Sequence, residues 1–385
     1  MINRVFLFVI DGFGVGPLPD AADYGDADVH SLAHLADAVG GLDLPNLEML
    51  GLGHVAQVAG VRPMAQLTGC FGRLGFTSRG NDSVSGYWEM SGGVAPHREA
   101  TYRTGIPDRI VGIIEQALGH KVIGQRIASM DMMLRQYGTE HLSSGAPILW
   151  TDGGTTCYVA AHASVMAPPL LHQRCRDAWR EAKKGEALIR IVAQPVSGEA
   201  NSLCSRSGRK DFVVEPPTVT MLDVLNRSSQ ITMGIGKVAD LFSGRGFTRT
   251  FSVGSALDAF DETVGMLNKV PRGLLYASLD VFPEHPEQAA TALHEFDRRL
   301  PTLIDKLRAG DLVILTGDHG RDLSKPDKLT TREYVPLLVT GPDLAQGVDL
   351  GTRSSAADLG QTVVEALRAE RLPVGESFGD ALRLG

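Results

Sequence analysis

The stretch Asp311–Gly320, DLVILTGDHG, constrains this chain more than any other. A charge opens it, Leu312 to Leu315 follow as an unbroken apolar run, and the run breaks at Thr316-Gly317. A short apolar run closed by glycine reads as a strand buried on both faces of a parallel sheet. Such sheets place their chemistry outside the carboxyl ends of the strands, which is where Asp318 and His319 fall. A carboxylate beside an imidazole is a start for a divalent-metal site. Taken alone, Asp-His-Gly reads more readily as a turn beside an exposed histidine. Three further strand ends decide against that.

Val5 to Ile10 is another unbroken apolar run, and it ends at Asp11. The glycines that follow, Gly12, Gly14 and Gly16, fall one residue short of G-x-G-x-x-G. A carboxylate at that strand end would also face a pyrophosphate, so a dinucleotide site is disfavoured. A metal-ligand Asp with a glycine loop allowing close backbone approach fits better. Asp20, Asp23, Asp26 and Asp28, in the next loop, read as solvated charges. Residues 68–93 are rich in glycine and hydroxyls around Asn81-Asp82-Ser83-Val84-Ser85-Gly86. One reading is a turn. The sharper one is a hydroxyl nucleophile, Ser83, at a helix N-terminus, where free N–H groups and the helix dipole steady a phosphate.

Composition narrows the class. The chain has 385 residues, 43% apolar and 21% charged, which suits a soluble protein with a large core and a second unit. A net charge of −8 argues against a nucleic-acid or anionic-membrane partner. Cys70, Cys157, Cys175 and Cys204 form no C-x-x-C pair, which fits a reducing, cytoplasmic setting. The six apolar residues before Asp11 are too few for a signal peptide or a membrane span.

Between about Pro96 and Pro217 the texture changes to helical periodicity alternating with short strands. We read residues 96–217 as a smaller α+β cap domain inserted into a discontinuous core of residues 1–95 and 218–385. Arg190, Arg206 and Arg209 lie in the insert and are candidate phosphate donors. After it, Ile231–Asp240 reads as strand, glycine turn and helix start. Gly273–Asp280 is a strand ending in Asp, with His285 five residues on. Val335–Thr340 is one more strand, and a helix over about Ala356–Ala369 is predicted to start at a Ser355/Asp358 capping box.

Four points after strands thus present ligand-type side chains: Asp11; Ser83; Asp280 with His285; Asp318 with His319. Mixed Asp/His ligation suits Mn²⁺ or Zn²⁺. Two such ions about 4 Å apart clamp a phosphoryl group in an in-line displacement, so the pattern points to phosphoryl transfer through Ser83.

With these residues in place, the sequence resembles phosphopentomutase, of the alkaline phosphatase superfamily. VIDGFGVG with PDAADYGD, NDSVSGYWEM, YGTEHLSSGAPILWTD, AAH, GIGKVADLF, TGDHGRD and TREYVPLLVTGP carry the resemblance across nearly the whole chain. It implies an alkaline-phosphatase-like α/β core with a mostly parallel sheet, a mobile cap and two Mn²⁺ ions. It also implies a phosphorylated enzyme hydroxyl that gives its phosphate to a pentose 1- or 5-phosphate through a sugar bisphosphate. By position, Ser83 replaces the family's nucleophilic Thr. Asp11, Ser83, Asp318 and His319 would hold one ion, and Asp280 and His285 the other.

The sequence departs from the family at several points. Thr330 stands where the family has a third histidine ligand, with Asp327 three residues away. Gly154 stands for a substrate-contacting Asp, Gln194 for an Arg and Tyr87 for a His. Arg190 matches, and Arg206 and Arg209 match with a one-residue gap. A phosphatase or phosphodiesterase on the same site, and a non-catalytic sugar-phosphate binder, stay open beside the mutase. The sugar, the metal and the oligomeric state are left open too.

Overall fold

Arg4 and the Val5–Ile10 run form a strand whose seven residues are all buried, with Phe6, Phe8 and Ile10 in the main hydrophobic cluster. Burying each such side chain is worth roughly 1.5–3 kcal/mol, so this strand sits at the centre of a sheet covered on both faces. The computed structural model describes residues 1–94, 102, 104–154, 156–185, 190–206, 208–282, 285–325 and 330–384. Among them the strands are β1 (Arg4–Ile10), β2 (Cys70–Leu74), β3 (Ile123–Ile127), β4 (Ile148–Thr151), β5 (Thr156–His162), β6 (Arg190–Ser197) and β7 (Cys204–Ser205). The rest are β8 (Lys210–Val213), β9 (Ile231–Ile235), β10 (Arg249–Phe251), β11 (Gly273–Leu279), β12 (Asp311–Gly317), β13 (Val335–Thr340) and β14 (Asp349–Arg353). Two compact units result: Met1–His97, Pro216–Ala239 and Gly244–Gly385 in one, Arg98–Glu215 and Asp240–Ser243 in the other.

The first unit carries an eight-stranded sheet in the order β10-β9-β11-β1-β12-β13-β2-β14. Only β13 runs against the rest, pairing antiparallel with β12 and β2. The core is therefore α/β with a mostly parallel sheet, as expected. Helices Ser31–Val39, Pro45–Leu50, Ala256–Gly265 and Pro286–Ile304 bury Leu32, Leu47, Phe260 and Phe296 in the cluster that holds Phe8. Three details differ from the sequence reading. β12 continues through Thr316 and Gly317. The last long helix is Ala357–Ala366, and the predicted capping box does not form: Asp358 instead accepts from Arg353 and from the backbone N–H of Glu376. Asp20 and Asp26 are not simple solvated charges. Asp20 accepts two of the guanidinium bonds of a buried Arg332, and Asp26 is buried against Lys325 and the Arg332 N–H.

In the second unit, β3-β4-β5-β6-β7 form a mixed sheet with β8 paired to β6. β5 shows the period-2 alternation of a two-faced strand. Cys157, Val159 and Ala161 pack with helices Asp108–Leu118 and Pro168–Ala182, while Ala160 and Tyr158 pack with helix Met130–Ser144.

Two tests follow from the first unit. Gly86 lies in helix Ser83–Met90, and a Cβ there would collide with the Asp318 carbonyl. Gly86→Ala gains about 1 kcal/mol of helix propensity, yet a rigid backbone clash costs about 1–3 kcal/mol. Net destabilisation is expected in denaturant unfolding.

His30 caps helix Ser31–Val39 by accepting the Ala33 N–H at Nδ1, 3.1 Å away. Burial, then the neighbouring His34, holds the His30 pKa below its usual value. A group with a lowered folded pKa stabilises fully above its unfolded value, about 6.5 for histidine, and that contribution is lost as pH falls through the folded value. The parent is expected to lose more stability than His30→Asn between neutral and mildly acidic pH, measured by urea unfolding.

Candidate metal centre

β11, β1 and β12 lie side by side in level register: Ile10 pairs with Leu279 on one side and Gly317 on the other. Asp280, Asp11 and Asp318, the next residues, therefore leave the sheet at one height. β9 flanks β11 and is followed by the left-handed Gly236 and then Lys237. Gly236 is required there, because a Cβ would strike the Ser278 hydroxyl.

Asp11, Asp318 and His319 bring their donor atoms within 4.8 Å of one another, the only such trio of carboxylate, thiol or imidazole groups among the described residues. Nδ1 of His319 lies 3.0 Å from the carbonyl of Gly320, a pure acceptor, so Nδ1 carries the proton and Nε2 presents a lone pair. That lone pair lies 3.3 Å from Asp318 Oδ2 and 3.9 Å from Asp11 Oδ1. Asp318 Oδ1 is held by the Gly12 N–H at 3.1 Å, while its buried Oδ2 has no hydrogen-bond partner. Buried acceptors facing each other without a donor are costly. A cation between them removes that cost, so this donor set fits one divalent ion.

Ser83 is the first residue of helix Ser83–Met90, whose N-cap Asp82 accepts the Ser85 N–H at 3.0 Å. Its Oγ lies 3.2 Å from His319 Nε2 and 3.5 Å from Asp11 Oδ2. The sequence reading assigned no role to Lys237. Its ammonium donates to Ser83 Oγ at 3.2 Å and pairs with Asp11. The available signal was the one used for the acids, a charged side chain just past a buried strand.

Buried charges fix the loop before Ser83. Glu89 accepts the N–H groups of Thr77 and Ser78 at 2.8 and 2.6 Å. Arg332 donates to the carbonyls of Phe76, Ser78 and Gly80 at 2.7–3.0 Å. Glu333 takes the N–H groups of Gly16 and Ser31 and the hydroxyls of Ser31 and Thr331. Burial pushes the Glu333 pKa up. Gly14 and Gly320 have no room for a Cβ against it. Glu89, Arg332 and Glu333 were missed as positioning residues because only the folded chain reveals what they hold.

The other predicted residues lie apart from this cluster. Asp280 is exposed at the end of β11, and His285 is the N-cap residue of helix Pro286–Ile304. Thr330 is partly buried, and its carbonyl accepts from the Asn81 side chain at 3.2 Å. Asp327 lies outside the described residues. In the second unit, Arg190 is buried and pairs with Asp211, which Arg209 also binds at 2.9 and 3.2 Å. Burial alone would raise the Asp211 pKa; Arg190 and then Arg209 outweigh it and hold the carboxyl well below the usual range. Arg206 is exposed, and Gln194 donates to the Pro195 carbonyl and the Ser205 hydroxyl, both at 2.9 Å.

A mostly parallel α/β core with a carboxylate–imidazole cluster at its strand ends defines a metalloenzyme, and residues 283–371 match the family model of the Metalloenzyme superfamily. Phosphopentomutase from Herpetosiphon aurantiacus is 38% identical, over 98% of this chain and 98% of its own length. That from Clostridium kluyveri is 35% identical, over 99% and 100%. The chain belongs to the phosphopentomutase family. No helix among the described residues is long and apolar enough to cross a membrane.

Asp318→Asn is expected to lose bound divalent metal, because a neutral amide replaces a charged ligand. Elemental analysis of the purified full chain checks this.

Proposed function

We propose that the chain is a metal-dependent phosphosugar mutase that exchanges phosphate between the 1- and 5-oxygens of ribose or deoxyribose, through a phosphoserine at Ser83. The observation that carries this reading is the position of Ser83 Oγ. It lies at a helix N-terminus, within 3.5 Å of Asp11 Oδ2, His319 Nε2 and Lys237 Nζ. Asp11, Ser83, Asp318 and His319 would hold the first ion, with manganese the expected metal and Asp280 and His285 the remaining candidate ligands. A divalent ion bound there supplies charge neutralisation for the phosphoryl oxygens and lowers the pKa of a coordinated hydroxyl.

The chain's own residues set up the rest. Asp82 and Glu89 fix the helix start and the preceding loop, so Ser83 Oγ is aimed before substrate arrives. The free N–H groups at the helix start favour the anionic group transferred to Ser83. Lys237 donates to Ser83 Oγ, so it opposes the negative charge that develops on that oxygen as the phosphoryl group arrives and leaves. Arg190, Arg206 and Arg209 are the proposed sugar-phosphate donors. At Arg190 and Arg209 a phosphate competes with Asp211. The scattered thiols support a cytoplasmic setting, and a sugar bisphosphate is the expected intermediate and activator.

Hydrolysis is the second reading, because the same nucleophile and ion serve a phosphatase. Incubation with ribose 1-phosphate and Mn²⁺ separates the two: ribose 5-phosphate is expected, and free phosphate as the product would establish the hydrolase. Ser83→Ala is expected to abolish turnover, and mass spectrometry is expected to find a phosphate on the parent that is missing from the variant. Full activity in that variant would end the nucleophile assignment. Lys237→Met is expected to slow turnover by about 10²–10³-fold, the usual loss for one preorganised charge-stabilising donor, with metal content retained.

A further inference from the structure

Level register brings the three strand ends together, but it does not fix the loops that leave them. Arg321 touches all three loops. It lies two positions past His319, in the loop after β12. Its backbone N–H is shared between the carbonyl of Gly12, 3.2 Å away in the loop after β1, and the hydroxyl of Ser31, 2.7 Å away. Ser31 is fully buried, and Glu333 accepts from both its N–H and its hydroxyl. The Arg321 side chain then runs across Gly12: a Cβ added to Gly12 would lie 2.7 Å from the Arg321 Cβ and 3.7 Å from its Cδ. At the far end, Nη1 donates to the carbonyl of Phe282, 3.1 Å away. Phe282 comes two residues after Asp280, in the loop after β11. It is a firm anchor, fully buried with its ring centroid 6.1 Å from that of Phe13.

The Gly12 peptide unit is bonded to the β12 loop on both sides. Its N–H holds Asp318 Oδ1 at 3.1 Å, and its carbonyl takes the Arg321 N–H. Gly12 also follows Asp11 directly, so whatever moves Arg321 reaches both carboxylates. The main-chain bonds of Arg321 survive a change of its side chain. The stem over Gly12 and the guanidinium bond to Phe282 do not. A guanidinium suits this task, because it is long, planar and always charged, and a charged donor makes the stronger hydrogen bond.

We infer that Arg321 is a positioning residue for the metal centre: its side chain ties the loops after β1, β11 and β12 together, so that Asp11, Asp318 and His319 are set for the ion before it binds. Outer partners of this kind are typically worth about 10–100-fold in metal affinity. The inference rests on the metalloenzyme reading of the centre, and the test separates the failure of one from the failure of the other.

The full chain and Arg321→Met are stripped with chelator and titrated with Mn²⁺ by calorimetry, and urea unfolding is measured on both. Methionine keeps an unbranched stem over Gly12 and removes the donors. The expected result is Mn²⁺ bound about 10–100-fold more weakly, unfolding close to that of the parent, and a kcat that returns towards the parent value as Mn²⁺ is raised. Arg321→Lys, which keeps the stem, the charge and a donor, is expected to bind Mn²⁺ more tightly than Arg321→Met. Parental Mn²⁺ affinity in Arg321→Met overturns the inference and leaves the metalloenzyme reading intact. A loss of stability that matches the loss of affinity, with no recovery in Arg321→Lys, overturns it in favour of packing alone. A parent that binds no Mn²⁺ overturns both. If Arg321→Met does not fold, Arg321→Gln, whose shorter amide falls short of Phe282, takes its place with the same outcomes.

Discussion

The candidate centre depends on the level register of three buried strands. β11, β1 and β12 are paired residue for residue from Gly273, Arg4 and Asp311 onward. All three are buried along their whole length. A parallel strand buried on both faces has little freedom to slip, since a one-residue shift moves every side chain to the opposite face. Because the three buried strands are of equal length and in level register, the carboxylates that follow them emerge together. The strand ends that carry Asp280, Asp11 and Asp318 are therefore neighbours although Asp11 lies hundreds of positions before the other two in the chain. The hydrophobic effect assembles the strands, and the ligands follow from where the apolar runs stop.

Gathering acids at a sheet edge raises an electrostatic difficulty, which the molecule meets in two ways. The Asp318–His319 acceptors are left facing each other, so the fold holds a strained set of lone pairs that a cation relieves. Around them, charges that would be expensive to bury alone are fully bonded. Arg332 has Asp20 and three backbone carbonyls; Glu333 has two N–H groups and two hydroxyls. A buried charge missing one partner costs several kcal/mol, so such a network has essentially one acceptable arrangement. That makes it suited to holding the loop before Ser83 in place. Rigidity in that loop has a functional use, because a displaced nucleophile loses the benefit of orientation.

The second unit shows that a residue's chemical type does not by itself fix its partner. Arg190 was read from its type and its match to the family, both of which favoured a phosphate donor. In the folded unit it is buried against Asp211 and shares that carboxylate with Arg209. A guanidinium suits a carboxylate and a phosphate equally well, and nothing in the linear order says that Asp211, on β8, will face Arg190, on β6. The strand pairing supplies that information: Arg190 lies opposite Val213 on the adjoining antiparallel strand.

Local patterns in the chain were enough to reveal the strands, the acids at their ends and the Ser83 helix start. Each depends on features within a few residues: an apolar run, a glycine break, a capping Asp. Contacts between distant segments were beyond that reach. Lys237 meets Asp11 and Ser83 across the sheet, Glu89 and Arg332 secure a loop from two sides, and Asp26 turns from a surface charge into a buried acceptor. Asp280 keeps its predicted place at a strand end yet stays out of the cluster, because adjacency along a sheet edge does not fix where a side chain points. Periodicity and strand ends report hydrophobic burial, which is local and additive; the partner of each polar group is chosen by the complete three-dimensional arrangement.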